Sequence, residues 1–165
     1  MKPLVPSEDI PAPSDLAAPS TTIPQSALWL TASGYIPFAI LSLASLLAPA
    51  PFQPQIGIAL LLYGAIILSF LGGIHWGVEM AHGAQSGSPP NLLALAISTA
   101  PSLIAWASLA LPHPFHSVGL GIGFLLILTY DLRCKKTGRV PDWYPKLRIP
   151  VTLAVLVALL VPNAF

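Results

Sequence analysis

The sequence predicts an all-α fold: a polytopic integral membrane bundle of five transmembrane helices. Three observations predict it. Hydrophobic residues make up 55% of the 165-residue chain and charged residues 8%, with a mean hydropathy of +0.76, whereas soluble domains carry roughly 25% charged residues. A surface so poor in charge is matched to lipid and not to water. Four apolar runs of about 17 to 22 residues are each long enough, at about 1.5 Å per residue, for a hydrocarbon core of roughly 30 Å. Six of the seven Lys and Arg residues lie between Arg133 and Arg148, a one-sided clustering of the kind that sets membrane orientation.

Taken in order, residues 1–26 hold six prolines and three acids with almost no periodic apolar pattern. Such a stretch cannot bury enough surface to offset the entropy of ordering and is expected to be a disordered tail. It lacks the basic start and immediate apolar core of a secretory signal, and one Lys, no Arg and three acids do not suit a transit peptide. Residues 27–165 are expected to form one domain with spans at about 28–48, 55–76, 91–111, 115–132 and 145–162. The last apolar run, 149–161, is short by itself. It is completed by Trp143 and Tyr144 starting in the headgroup zone and by Lys146 and Arg148 snorkelling back to it.

Proline marks the connections: Pro49, Pro51 and Pro54, then Pro89 and Pro90, then Pro112 and Pro114. Its missing donor and its ring clash end helices, so consecutive spans are short-linked and antiparallel. All charged residues then share one side with the N-terminus and with the loops at 77–90 and 132–147. The positive-inside rule makes that side cytoplasmic in a bacterial inner membrane, or matrix-facing in the alternative of a mitochondrial inner membrane, with the C-terminus on the opposite side.

Residues 37–52 (PFAILSLASLLAPAPF) and 101–115 (PSLIAWASLALPHPF) align with one gap. Coincidence within a limited apolar alphabet is the preferred reading. The alternative is a parallel repeat of two-helix units with a fifth helix added. Pro37 and Pro101 interrupt helical hydrogen bonding near mid-membrane, which predicts kinks eased by nearby hydroxyls, or alternatively a polar opening for a ligand. Ala65, Ser69, Gly73 and Gly77 recur every four residues and predict a packing seam for a neighbouring backbone.

Candidate chemistry is confined to the charged end. His75, Trp76 and Glu79 follow a Gly-Gly-Ile sequence in the second span, and Tyr130 and Asp131 close the fourth. Counted from the opposite ends, His75 lies about 30 Å and Asp131 about 24 Å along their helices, so the two can meet. Ionisable groups at membrane depth need partners, and such a cluster is a default site hypothesis; a structural clamp is the preferred alternative. Arg133, Lys135, Lys136, Arg139, Lys146 and Arg148, with Trp143 among them, are suited to anionic lipid headgroups, although topology alone explains them equally. Cys134 has no partner cysteine. No metal site, nucleotide loop, nucleophile elbow or zinc-protease motif occurs, no cofactor is implied, and nothing suggests nucleic acid.

The run YGAIILSFLGGIHWG at 63–77, Pro101-Ser102 with Trp106, Asp131, and the stretch PDWYPKLR at 141–148 resemble the transmembrane-protein-69-like family over about 28–160. The resemblance implies a multi-pass membrane protein in bacteria or mitochondria and brings no reaction, ligand or catalytic residue. The expectation is a structural or accessory protein that packs with lipids, a larger membrane complex or copies of itself. The alternative is a small proton-coupled or small-solute transporter using His75, Asp131 and the two proline-interrupted helices. An enzyme is unsupported but not excluded, with a quinone- or lipid-modifying activity at His75, Trp76 and Tyr130 as a third reading.

Overall fold

A computed structural model describes residues 22–163, so most of the tail expected over 1–26 lies outside the described residues. Five helices follow in order: α1 (Gln25–Leu47), α2 (Gln53–Ser86), α3 (Leu92–Leu109), α4 (Phe115–Lys136) and α5 (Tyr144–Leu160), closed by a 3-10 turn at Val161–Asn163. No strand occurs among the described residues. α1 stops just before Pro49, while Pro54 and Pro145 sit in the first turns of α2 and α5, where a missing N–H leaves no helical bond unmade. α3 starts behind Pro89 and Pro90 with Asn91 as its cap, whose side-chain oxygen accepts from the N–H groups of Leu93 and Ala94 at 2.9 and 3.3 Å.

Two boundaries correct the sequence reading. α2 was expected to end at Trp76, but it runs ten residues further to Ser86 and spans 34 residues, about 51 Å. The end of an apolar run is not the end of a helix. Residues 77–86 contain no proline, and Glu79, Met80, Ala81, Ala84 and Gln85 favour helix. The helix stops only at Gly87, which takes the left-handed conformation at φ 64°. α4 likewise continues past the expected end at about 132 to Lys136 and is followed by Gly138 at φ 69°.

Large apolar side chains face outward on every helix, among them Trp29, Leu47, Phe70, Leu92, Trp106, Ile122 and Val157. Helices α1 to α4 are long and apolar enough to cross a bilayer. α5 has 17 residues, about 25 Å, and is extended by the 3-10 turn. The chain is a multi-pass helical membrane protein.

The core is aromatic and aliphatic. Phe38 lies edge-on to Tyr63 at 4.9 Å and to Phe124 at 6.2 Å, with Leu68, Leu120 and Leu159 fully enclosed around them. Tyr63 donates to the Gly34 carbonyl at 2.8 Å and so ties α2 to α1.

The most intimate pair is α2 with α3. At their crossing, Gly72 lies so close to the Ser98 carbonyl and Pro101 that a Cβ would collide with the carbonyl oxygen. The seam expected through Ala65, Ser69, Gly73 and Gly77 is therefore redrawn within the bundle. Ala65 is buried and Ser69 half-buried, whereas Gly73 and Gly77 are exposed with open space around them. Each four-residue step overshoots a helical turn by about 40°, so Gly77 sits about 120° around the helix from Ala65. The buried stripe instead follows Gly64, Leu68, Leu71, Gly72, His75 and Glu79.

Pro37 and Pro101 lie inside α1 and α3 as expected, with a third interior proline, Pro150, in α5. Ser33, Ser98 and Thr99 donate to the carbonyls of Leu30, Leu95 and Ala96. The two prolines have different surroundings: Pro101 is buried against Gly72, and Pro37 is half-buried. α5 packs against both α1 and α4.

Candidate functional site

Three helices aim their inward stripes at one point. On α4, Ser117, Leu120, Phe124, Ile127, Asp131 and Cys134 recur at three- and four-residue steps and are all buried, which forces Asp131 inward. On α2 the same logic carries Leu68, Leu71, His75 and Glu79, and on α5 it carries Arg148, Thr152, Val155 and Leu159. The result is a closed triad. His75 Nε2 lies 2.7 Å from Asp131 Oδ1, and Arg148 Nε donates to Asp131 Oδ2 at 2.9 Å. Asp131 is fully enclosed. A carboxylate only accepts, so the imidazole presents its Nε2–H to it. The Tyr130 ring meets His75 edge-on at 4.7 Å.

A second, separate layer lies one turn further along α2. Glu79 is buried, its Oε1 accepts the Asn91 N–H at 2.8 Å, and its Oε2 accepts from Arg139 at 3.1 Å. One carboxylate therefore ties the end of α2 both to the start of α3 and to the α4–α5 loop. Replacing Glu79 with Ala removes both ties. Faster tryptic cleavage at Lys135, Lys136 and Arg139 is expected, while Glu79→Gln, which keeps an acceptor for Asn91, should cleave at an intermediate rate. A time course of limited proteolysis in detergent reads the difference.

The expected cluster is thus partly assembled. His75, Tyr130 and Asp131 meet, Glu79 belongs to the neighbouring layer, and Trp76 faces outward. Arg148 requires a correction: it was assigned to the lipid headgroups but is buried and paired with Asp131. Its place on the buried stripe of α5 turns the guanidinium inward, where Nε donates to the carboxylate in a charge-assisted bond. The basic residues nearest Asp131 in sequence do not pair with it. Arg133 is exposed, and Lys135 lies 3.7 Å from Asp142. Arg133, Lys135, Lys136, Arg139 and Lys146 all remain exposed at this end, with Trp143 half-buried and edge-on to Tyr144 at 6.0 Å. Cys134 is buried. Among the described residues no group of three or more His, Cys, Asp or Glu side chains is placed to hold a metal ion.

Sequence reasoning misassigned Arg148 and missed Thr152. Two buried atoms, Arg148 Nη2 and Thr152 Oγ1, have no hydrogen-bond partner. Both residues line a pocket of about 280 Å³ between α1, α2 and α5, whose floor includes Phe124 of α4. The available signal was the four-residue spacing of two polar side chains on the face of the last span that also carries Val155 and Leu159.

Residues 23–163 match the family model described as "Protein of unknown function (DUF3429)". Two curated relatives carry the name Transmembrane protein 69. The Xenopus tropicalis protein is 33% identical over 138 residues, covering 82% of this chain and 53% of the relative. The Mus musculus protein is 30% identical over 147 residues, covering 84% of this chain and 55% of the relative. The chain spans about half the length of the curated relatives it matches. No solved structure matches it.

Proposed function

This chain belongs to the DUF3429 family, with proteins named Transmembrane protein 69 among its relatives, and on that premise we propose that it is a structural or accessory membrane protein. In this reading it is a rigid bundle whose charged end is a clamp and whose apolar faces pack with lipids or with other membrane proteins. One observation carries the reading: both oxygens of Asp131 and both oxygens of Glu79 are spent on residues of other segments. Carboxylates used in this way hold helices together. Of the five exposed basic residues at the same end, Arg139 and Lys135 pair with Glu79 and Asp142, and Arg133, Lys136 and Lys146 supply contacts for anionic headgroups, at about 1 kcal/mol each near a charged surface. They also support placing that end, and the N-terminus, on the cytoplasmic side of a bacterial inner membrane or on the matrix side of a mitochondrial one, with the C-terminus opposite.

The second reading, a small proton-coupled or small-solute transporter, is favoured by the buried His75–Asp131 contact, since paired ionisable groups at membrane depth also serve as proton relays. Reconstitution separates the two. Under the accessory reading, vesicles containing the protein stay as proton-tight as empty ones, and Asp131→Asn lowers the thermal midpoint in detergent. Proton or solute flux that disappears in Asp131→Asn without loss of stability would replace this reading with the transporter.

A further inference from the structure

The pocket between α1, α2 and α5 has features that the clamp does not use. Its walls are apolar or aromatic, with Leu30, Tyr35, Phe38, Ile74, Val151 and Val155 among them, and Trp143 and Tyr144 stand at its interfacial end. It lies beside the first half of α1, which is tied to α2 through the Gly34 carbonyl but has no buried side chain. Among the described residues of that helix only Phe38 and Ser42 are fully buried, and both come after Pro37. The wedge this leaves beside the first half of α1 adjoins lipid-facing residues such as Leu28 and Trp29.

Two of the residues that line this apolar space each carry an unsatisfied buried polar atom. Arg148 is 7% exposed and Thr152 1%, yet Arg148 Nη2 and Thr152 Oγ1 have no partner. The threonine is telling. Ser33, Ser98, Thr99, Ser108 and Thr129 all lie within helices and all donate to a carbonyl three or four residues back. Thr152 makes no such bond. Thr152 follows Arg148 by one turn, about 6 Å of helix rise, on the same face of α5. A buried donor without an acceptor costs about 1–3 kcal/mol, so two of them on one face constitute a vacant demand for oxygen. The charge of that demand follows from the clamp. The guanidinium is already opposed by the Asp131 carboxylate at 2.9 Å, so the donors on these two lining residues come without net positive charge.

We propose that this pocket binds one neutral, apolar-tailed molecule through a carbonyl oxygen that accepts hydrogen bonds from Arg148 and Thr152. Its tail lies along α1 and α5, and it enters sideways from the lipid. At about 280 Å³ the pocket is close to the lower end of ligand sites, roughly 300–1,000 Å³, and holds a head and the first part of a tail. The carbonyl can belong to a lipid ester or to a quinone. This inference goes beyond the accessory reading and stands independently of proton flux.

The test uses the full chain in mild detergent, followed by native mass spectrometry during titration with decylubiquinone, with 1,2-dioctanoylglycerol, and with palmitate as the charged control. A saturable one-to-one adduct with decylubiquinone, with dioctanoylglycerol or with both is expected, and the preferred probe identifies the source of the carbonyl. Thr152→Val, which removes the hydroxyl and keeps the shape, should weaken binding roughly threefold to tenfold. Gly34→Leu adds a side chain where a Cβ meets nothing within 4 Å, at the pocket wall, and should abolish binding while the protein still folds. Absence of an adduct with both neutral probes, preference for palmitate, or affinity unchanged in both variants overturns the proposal. So does binding that appears only after residues 1–21 are deleted, because the chain's own N-terminal segment would then be the occupant.

Discussion

Replacing Asp131 with Ala is expected to cost about 3–5 kcal/mol, the largest effect of any single side-chain truncation in this protein. The carboxylate is fully enclosed and is the partner of both Arg148 Nε and His75 Nε2. Removing it leaves a guanidinium, buried and always charged, with no counter-ion, and an imidazole N–H with no acceptor. The loss should appear as a lower midpoint when helicity is followed through a titration of a mild-detergent sample with dodecyl sulfate. Lys146→Ala, two residues before Arg148 but exposed, serves as the control and should leave the midpoint unchanged.

The second large effect is expected at Gly72. An alanine there places a methyl group into the Ser98 carbonyl, with Pro101 Cγ only 3.3 Å away. The obstacle is backbone held by a buried proline, which no rotamer change can clear, so α2 and α3 must separate. A cost of about 3 kcal/mol is expected, at the upper end of ordinary overpacking. The neighbouring Gly73 gives the contrast. Its Cβ would meet nothing within 4 Å, and Gly73→Ala should be neutral or stabilising by up to about 1 kcal/mol through helix propensity. The same titration measures both, and equal effects at the two glycines would mean that the α2–α3 crossing lies elsewhere.

Much of this fold was legible before any coordinates. Composition and run length identify the helices, and proline positions identify where α1 and α3 begin or end, because these depend on local chemistry. That His75 and Asp131 could meet was legible from their similar depth; that they do depends on how α2 and α4 face each other. What failed did so where tertiary geometry decides. Topology rules count Arg148 as one more positive charge for the headgroups, yet its place on the stripe with Thr152, Val155 and Leu159 turns it inward. The i+4 stripe of small residues drifts around α2, so Gly72 and not Gly73 takes the close contact. The extension of α2 to Ser86 was hidden because hydropathy ends at Trp76 while helix-favouring residues continue. Glu79 could not be matched to Arg139 from the sequence, since they are 60 positions apart and the connection depends on that extension. The pocket was beyond reach for the same reason: a gap between helices is a property of how they cross.

The central claim is that Asp131 and Arg148 form one energetic unit joining α4 to α5. A double-mutant cycle with Asp131→Leu and Arg148→Met measures it directly, using the same unfolding titration for the wild type, both single variants and the pair. Each single variant strands a buried polar partner, whereas the double variant replaces the pair with apolar bulk, an exchange that is often close to neutral. The double variant is predicted to be more stable than either single one, which requires a coupling larger than the greater single loss, about 3–5 kcal/mol. Losses that simply add would contradict it, since they would mean that the two side chains do not share the interior of the bundle.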